Sequence, residues 1–241
     1  MSIAWFRERV QSKLTGPEAK MKPRLDDQTM ALRVAREFRD GMTINLGYGI
    51  PTLAANFIPG DMEVIFHSEN GCLGYGPSPQ SEDQEDFHLV NATGTFATPK
   101  PGMCFFNHDE SFAMIRGGHI DLCVLGGLQV SEKGDLANWA LEYGGIGNIG
   151  GGMDLASGAS RLIVVMTHTT KNDTPKILKH CSYPLTAPGC VTLIVTDLAV
   201  IEVTSGGLVL KEIAPEWEPD EIQALTQPKL VIASDLKQIE L

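Results

Sequence analysis

Ile120-Asp121-Leu122-Cys123-Val124-Leu125-Gly126 is a nearly continuous apolar run that stops at a glycine. A strand wetted on one face alternates apolar with polar residues, whereas a parallel strand covered on both faces reads as an unbroken hydrophobic run. The run therefore predicts a central strand in a sheet with cover on both sides. Three further stretches share its character: Thr43-Ile44-Asn45-Leu46, Val64-Ile65-Phe66 and Arg161-Leu162-Ile163-Val164-Val165-Met166. Helical patterns lie between them. Met30, Val34 and Phe38 fall on one helical face from Asp27 onward, with Gly41 as the expected C-cap. Residues 109–116 predict a brief helix capped by Asp109 and closed by Gly117-Gly118. This alternation predicts an α/β fold: a single three-layer domain with an open, mostly parallel central sheet flanked by helices.

Shorter strands are expected at Leu89-Val90-Asn91-Ala92 and Met103-Cys104-Phe105-Phe106. Toward the C-terminus, residues 191–196, 198–203 and 208–213 read as strands, the last two joined by a Ser205-Gly206-Gly207 turn. A short helix over 219–225 and a strand at Lys229-Leu230-Val231-Ile232-Ala233 complete the chain. Residues 1–25 are polar and broken at Gly16-Pro17 and Lys22-Pro23, which predicts an N-terminal arm ahead of one domain over 26–241.

Composition narrows the function. With 43% apolar and 20% charged residues over 241 positions, the chain is long enough for one α/β domain with a substantial core. No apolar run is long enough to span a bilayer, and the first residues lack the apolar segment of a secretion signal, so cytoplasm is expected. A net charge of −11 argues against non-specific nucleic-acid binding and gives no general attraction to an anionic substrate, and no membrane partner is expected. Any positive charge that an anionic substrate needs must then be local or come from a partner chain. Five cysteines form no CxxC pair and read as free thiols. Six histidines are scattered without ligand spacing, and the acidic run Glu82, Asp83, Glu85, Asp86 lacks the pattern of a calcium loop, so no metal is expected.

Polar chemistry is concentrated where strands stop. Phe66-His67-Ser68-Glu69-Asn70-Gly71-Cys72-Leu73-Gly74 passes from buried strand to flexible turn, placing Glu69 at a strand end. In an open α/β sheet the crevice outside the carboxyl ends of the strands is where ligands bind. A carboxylate there serves as base, metal ligand, ion-pair partner or covalent nucleophile. Gly47-Tyr48-Gly49-Ile50-Pro51 reads as a strand–loop–helix junction, with Pro51 in the first helical turn. Such a loop either packs closely or offers backbone N–H groups to an anion, and it lacks the full dinucleotide fingerprint. Gly144-Gly145-Ile146-Gly147-Asn148-Ile149-Gly150-Gly151-Gly152 is richer in glycine than a plain linker requires.

The Glu69 stretch resembles the active-site signature of the family I CoA-transferases, in the subunit or half that carries the catalytic glutamate. Further motifs carry the same resemblance: Asn45-Leu46-Gly47-Tyr48-Gly49-Ile50-Pro51-Thr52-Leu53, Asp109-Glu110-Ser111-Phe112-Ala113-Met114-Ile115-Arg116-Gly117-Gly118-His119-Ile120-Asp121, Gly134-Asp135-Leu136-Ala137-Asn138-Trp139, Gly151-Gly152-Met153-Asp154-Leu155 and Thr196-Asp197-Leu198-Ala199-Val200. The resemblance implies that Glu69 attacks an acyl-CoA thioester and passes through a mixed anhydride to a glutamyl-CoA thioester, with ping-pong kinetics. A free glutamate titrates near ~4.3, so such a nucleophile needs no dedicated base at neutral pH. Oxyanion support is expected from Asn70, Gly71, Gly47 and Gly49, while Asn45, Gly127, Gln129 and Gly151 would face the thioester or the pantetheine arm. CoA and acyl-CoA enter as substrates and no cofactor is permanently bound. The family's complete enzyme has a second half, so an α subunit is expected as partner, in an αβ or α₂β₂ assembly.

The resemblance points to a 3-oxoacid CoA-transferase β subunit, with acetoacetate or 3-oxoadipate as acceptor and succinyl-CoA as donor. An acyl-CoA hydrolase on the same scaffold and a non-catalytic CoA-binding subunit are the alternatives. Asn91-Ala92-Thr93-Gly94 stands where many relatives have Asn-Ala-Gly-Lys, so a lysine that would meet CoA or substrate is replaced. Ala140-Leu141-Glu142-Tyr143-Gly144-Gly145 replaces a proline-glycine-lysine segment of acetoacetate-type members. Cys181-Ser182-Tyr183-Pro184-Leu185-Thr186 is more similar to 3-oxoadipate-type members.

Overall fold

The computed structural model describes residues 22–140 and 149–240. In chain order the elements are α1 (Asp27–Ala35), β1 (Thr43–Leu46), α2 (Ile50–Leu53), β2 (Ile65–Ser68), β3 (Cys72–Leu73), β4 (Cys104–Phe105), α3 (His108–Arg116), β5 (Leu122–Gly126), β6 (Gln129–Ser131), β7 (Leu136–Ala137), α4 (Gly152–Gly158), β8 (Leu162–Met166), β9 (Ile177–Leu178), β10 (Leu193–Thr196), β11 (Ala199–Thr204), β12 (Gly207–Ile213), α5 (Pro219–Ala224) and β13 (Leu230–Gln238). Ten strands form one sheet in the order β13-β12-β11-β10-β8-β5-β1-β2-β3-β4. Its centre, β10-β8-β5-β1-β2, is parallel throughout. The flanks are antiparallel where β2-β3-β4 and β10-β11-β12 meet, and β13 returns parallel to β12. A separate sheet pairs β7-β6-β9.

The central strands explain the three layers. Leu122 and Val124 enter one core with Met30, Val34 and Phe38, whereas Cys123 and Leu125 enter the other with Ile115 and Leu155. Successive side chains of a strand point to opposite faces, so an unbroken apolar run fills two cores at once. Val124, Ile163 and Ile194 are each 0% exposed, and burying such a side chain stabilises by about 1.5–3 kcal/mol. Among the described residues no helix is long and apolar enough to cross a membrane.

Several expectations shift in detail. Helix α1 stops at Ala35, with Arg36 rather than Gly41 as C-cap. Phe38 stays buried beyond it, and Gly41 (φ +79°) makes a separate turn by donating to Glu63 O at 2.7 Å. Helix α3 begins at His108 behind Asn107, not Asp109, because Glu110 Oε2 accepts from Asn107 N–H at 2.9 Å. The stretch 89–92 is not a strand: Val90 makes one isolated bridge to Phe96, and Asn91 Oδ1 draws Thr93 and Thr95 N–H into a turn. Ile65 is exposed although its neighbours in β2 are buried. Of the expected N-terminal arm, residues 1–21 lie outside the described residues, and 22–25 dock on the domain. Trp217 Nε1 donates to Pro23 O, Arg24 pairs with Asp197 at 3.1 Å, and Lys22 pairs with Glu221. Residues 144–148 of the glycine-rich stretch also lie outside the described residues.

One buried ionic cluster ties α1 to the sheet. Arg33 grips Glu212 of β12 through Nε (2.7 Å) and Nη2 (3.0 Å), and reaches Glu37 through Nη1 at 2.8 Å. Arg161 closes the other side of Glu37 at 2.7 Å. Burial by itself would raise the Glu37 carboxyl, but the two guanidinium groups together outweigh it and hold the group below its ordinary range.

Candidate active site

Strands β1, β2 and β5 are parallel neighbours, so their carboxyl ends open onto one crevice. Glu69 follows directly on β2 and lines a cleft of about 420 Å³ with Gly47, Tyr48, Thr93, Gly126, Gly127, Asn138 and Gly151. The carboxylate is half-buried, and its Oε2 accepts from Asn45 Nδ2 at 3.2 Å. Asn45 is 0% exposed and stands in β1 beside β2. The same Nδ2 lies 3.2 Å from His67 Nδ1 and 3.2 Å from His67 O. His67 Nε2 meets Ser111 Oγ of α3 at 3.0 Å, and its ring stacks on Phe106. Burial pushes the His67 imidazole down to about 4, so it is neutral at neutral pH.

Three glycines let backbone approach this point. A Cβ on Gly47 would stand 3.0 Å from Leu125 Cδ2. One on Gly127 would meet Val164 and Met166, and one on Gly151 would meet Phe112 at 3.0 Å and Glu69 Cγ at 3.6 Å. Gly47 and Gly127 thus pack strand ends tightly, while Gly151 places α4 against the carboxylate stem.

The expected site residues divide into two groups. Glu69, Gly47, Gly127 and Gly151 gather on the cleft, with Asn45 directly beneath Glu69 rather than on the wall. Gly49 (φ +87°) caps α2, and neither Tyr48 nor Gly49 N–H has an acceptor among the described residues. Three other groups are already engaged. Asn70 Nδ2 donates to Val90 O at 2.7 Å, Gly71 N–H to Ser68 O at 3.0 Å, and Gly47 N–H to Val124 O at 2.8 Å. Gln129 points away: its Oε1 accepts from Ser182 and Tyr183 N–H and orders that loop. Asn138 was not singled out by sequence, yet it lines the cleft, donating to Gly126 O at 3.0 Å and accepting from Thr186 Oγ1 at 2.6 Å. Its motif was visible, but its function was not, because its partners are distant in sequence. No group of three His, Cys, Asp or Glu side chains among the described residues is placed to hold a metal ion.

The site is thus a half-buried carboxylate at a strand end, bonded by a buried carboxamide and walled by glycines. The family model for coenzyme A transferase matches residues 27–225. The chain belongs to the coenzyme A transferase family. It is 49% identical over 209 residues to the B-type subunit of 3-oxoadipate CoA-transferase from Pseudomonas putida, covering 86% of this chain and 97% of that one. It is 45% identical over 242 residues to the mitochondrial succinyl-CoA:3-ketoacid coenzyme A transferase 2B of Mus musculus, covering 98% of this chain and 46% of that one. The fold is shared with the apoenzyme of acyl-CoA transferase YdiF from Escherichia coli O157:H7, with a TM-score of 0.70 at 20% identity over 91% of this chain and 44% of that one. The chain is a B-type CoA-transferase subunit, and it spans less than half the length of the two longer proteins.

Proposed function

We propose that this chain is the glutamate-bearing subunit of a 3-oxoacid CoA-transferase, acting with an α subunit in an αβ or α₂β₂ assembly. The observation that carries the reading is the half-buried Glu69 carboxylate, held by Asn45 at 3.2 Å on the floor of the cleft. The mouse relative, roughly twice as long, supports a second half supplied as a separate chain. Relatives named for 3-oxoadipate and for succinyl-CoA with 3-ketoacids support a 3-oxo acid acceptor and a succinyl-CoA donor.

A Glu69 oxygen attacks the thioester carbonyl carbon, and the tetrahedral intermediate expels CoA thiolate to leave an acyl–glutamyl anhydride. The thiolate then attacks the glutamyl carbonyl and releases the donor acid as its carboxylate. The acceptor carboxylate attacks the resulting glutamyl-CoA thioester, and the thiolate returns to the acceptor carbonyl, freeing new acyl-CoA and Glu69. Asn45 fixes which carboxylate oxygen faces the cleft, and orientation of this kind supplies on the order of 7–11 kcal/mol in favourable cases. The Tyr48 and Gly49 N–H groups, which have no acceptor among the described residues, are available to the oxyanion. An oxyanion donor is worth about 3–4 kcal/mol.

Half-reaction assays with the α subunit test this directly. Succinyl-CoA without acceptor should release succinate once per site and stall, and acetoacetate or 3-oxoadipate should restart turnover. Continuous thiol release without an acceptor acid would indicate hydrolysis and overturn the transferase reading.

A further inference from the structure

The chain of contacts beneath Glu69 continues past Asn45, and its polarity is fixed by chemistry. Around Asn45 Nδ2 stand three acceptors: Glu69 Oε2, His67 O and His67 Nδ1, each at 3.2 Å. On the other side of the carboxamide the Cys123 thiol approaches Oδ1 at 4.0 Å. Reversing the amide would set its oxygen against a carboxylate and a carbonyl, so Nδ2 is the atom that faces Glu69. Nδ2 shares two hydrogens among these three acceptors, and a proton on His67 Nδ1 would set two donors face to face, so Nδ1 is the unprotonated nitrogen. A neutral ring with a bare Nδ1 carries its proton on Nε2, which donates to Ser111 Oγ at 3.0 Å. His67 is 1% exposed, and Ser111 and Asn45 are 0% exposed, so water competes at none of these positions. Among the described residues no other titratable side chain bonds the ring. The Cys123 thiol meets Asn45 Oδ1 and feels the Glu69 charge, and Glu110 faces the Asn107 N–H.

We propose that His67 is a positioning residue: locked as the Nε2–H tautomer between Ser111 and Asn45, it holds the carboxamide that aims Glu69 into the cleft. Helix α3 thereby reaches the nucleophile through three side chains without touching substrate. The inference rests on the function proposed above, in which Glu69 is the acylated group.

The test uses the assembled complex and compares wild type with His67→Phe, His67→Gln and Ser111→Ala. Rapid-quench acylation of Glu69 is measured beside the dissociation constant for acyl-CoA, with thermal melting as the check on folding. His67→Phe keeps an aromatic ring against Phe106 and removes both nitrogens, so acylation should slow by about tenfold to hundredfold with acyl-CoA affinity unchanged. His67→Gln, which retains an acceptor and a donor, should recover part of that rate. Ser111→Ala leaves the ring in place and keeps the test open if the phenylalanine variant does not fold. It should slow acylation several-fold by loosening the ring, while the ¹⁵N signals of His67 keep the Nε2–H pattern that Asn45 sets. Wild-type acylation in both His67→Phe and Ser111→Ala would overturn the proposal, as would a slowing explained by weaker acyl-CoA binding, or a Nδ1–H signature in the wild type. A wild-type complex that never acylates Glu69 would instead strike the proposed function, while the ¹⁵N pattern would still decide the tautomer.

Discussion

Asn45 Nδ2 and Glu69 Oε2 stand 3.2 Å apart across the ends of two neighbouring parallel strands. The contact makes a buried carboxamide the immediate support of a half-buried carboxylate. Asn45→Ala removes the donor and frees the carboxylate to turn. Acylation of Glu69 should fall by about tenfold to hundredfold, with acyl-CoA affinity close to wild type. Stopped-flow acylation beside equilibrium binding checks both.

Gly71 and Gly151 are separable in effect. Gly71 has φ +109°, and an added Cβ would fall 2.1 Å from Phe106 O, a backbone atom that cannot step aside. Gly71→Ala should destabilise the domain by about 2 kcal/mol or more, read as a lower Tm. Gly151→Ala meets only the Phe112 ring edge and the Glu69 stem, so it should lower turnover with little change in Tm.

The Arg33–Glu212 pair is buried on both sides, with side chains 8% and 9% exposed. Glu212→Leu leaves Arg33 with Glu37 as its remaining partner and strands the buried Nε and Nη2 donors, at a cost of about 1–3 kcal/mol. Glu212→Leu alone should therefore be more harmful than Arg33→Met with Glu212→Leu together, since Arg161 still pairs with Glu37 in the double variant. Urea denaturation of the three proteins checks the order.

His168 is 0% exposed between Thr196 Oγ1 and Thr226 Oγ1, both at 2.9 Å, and burial pushes it down to about 4. An unfolded histidine titrates near 6.5, so between about pH 6.5 and 4 the unfolded chain binds a proton that the native state refuses. Stability should fall as pH drops through that window, with His168 contributing on the order of 3 kcal/mol. His168→Gln should flatten the slope of stability against pH there.

The central strands were legible because cover on both faces forces an unbroken apolar run, as at 120–126. The ribbon β2-β3-β4 and the sheet β7-β6-β9 were not, since Cys72–Leu73, Leu136–Ala137 and Ile177–Leu178 are too short to show any period. Glu69 was legible through its strand-end position and the family motif. The roles around it were less so: Gln129 lies beside cleft residues in sequence, yet its amide is consumed by the 182–183 backbone. Likewise the Ser111–His67 contact joins a helix to a strand far away in sequence, and only packing brings them together.

Intact-peptide mass spectrometry of the α-subunit complex, quenched during turnover with acyl-CoA, addresses Glu69 itself. The expected result is a CoA thioester on the peptide bearing Glu69, removed by acceptor acid and absent in Glu69→Gln. A complex that transfers CoA with that peptide unmodified, or a fully active Glu69→Gln protein, would contradict the central claim.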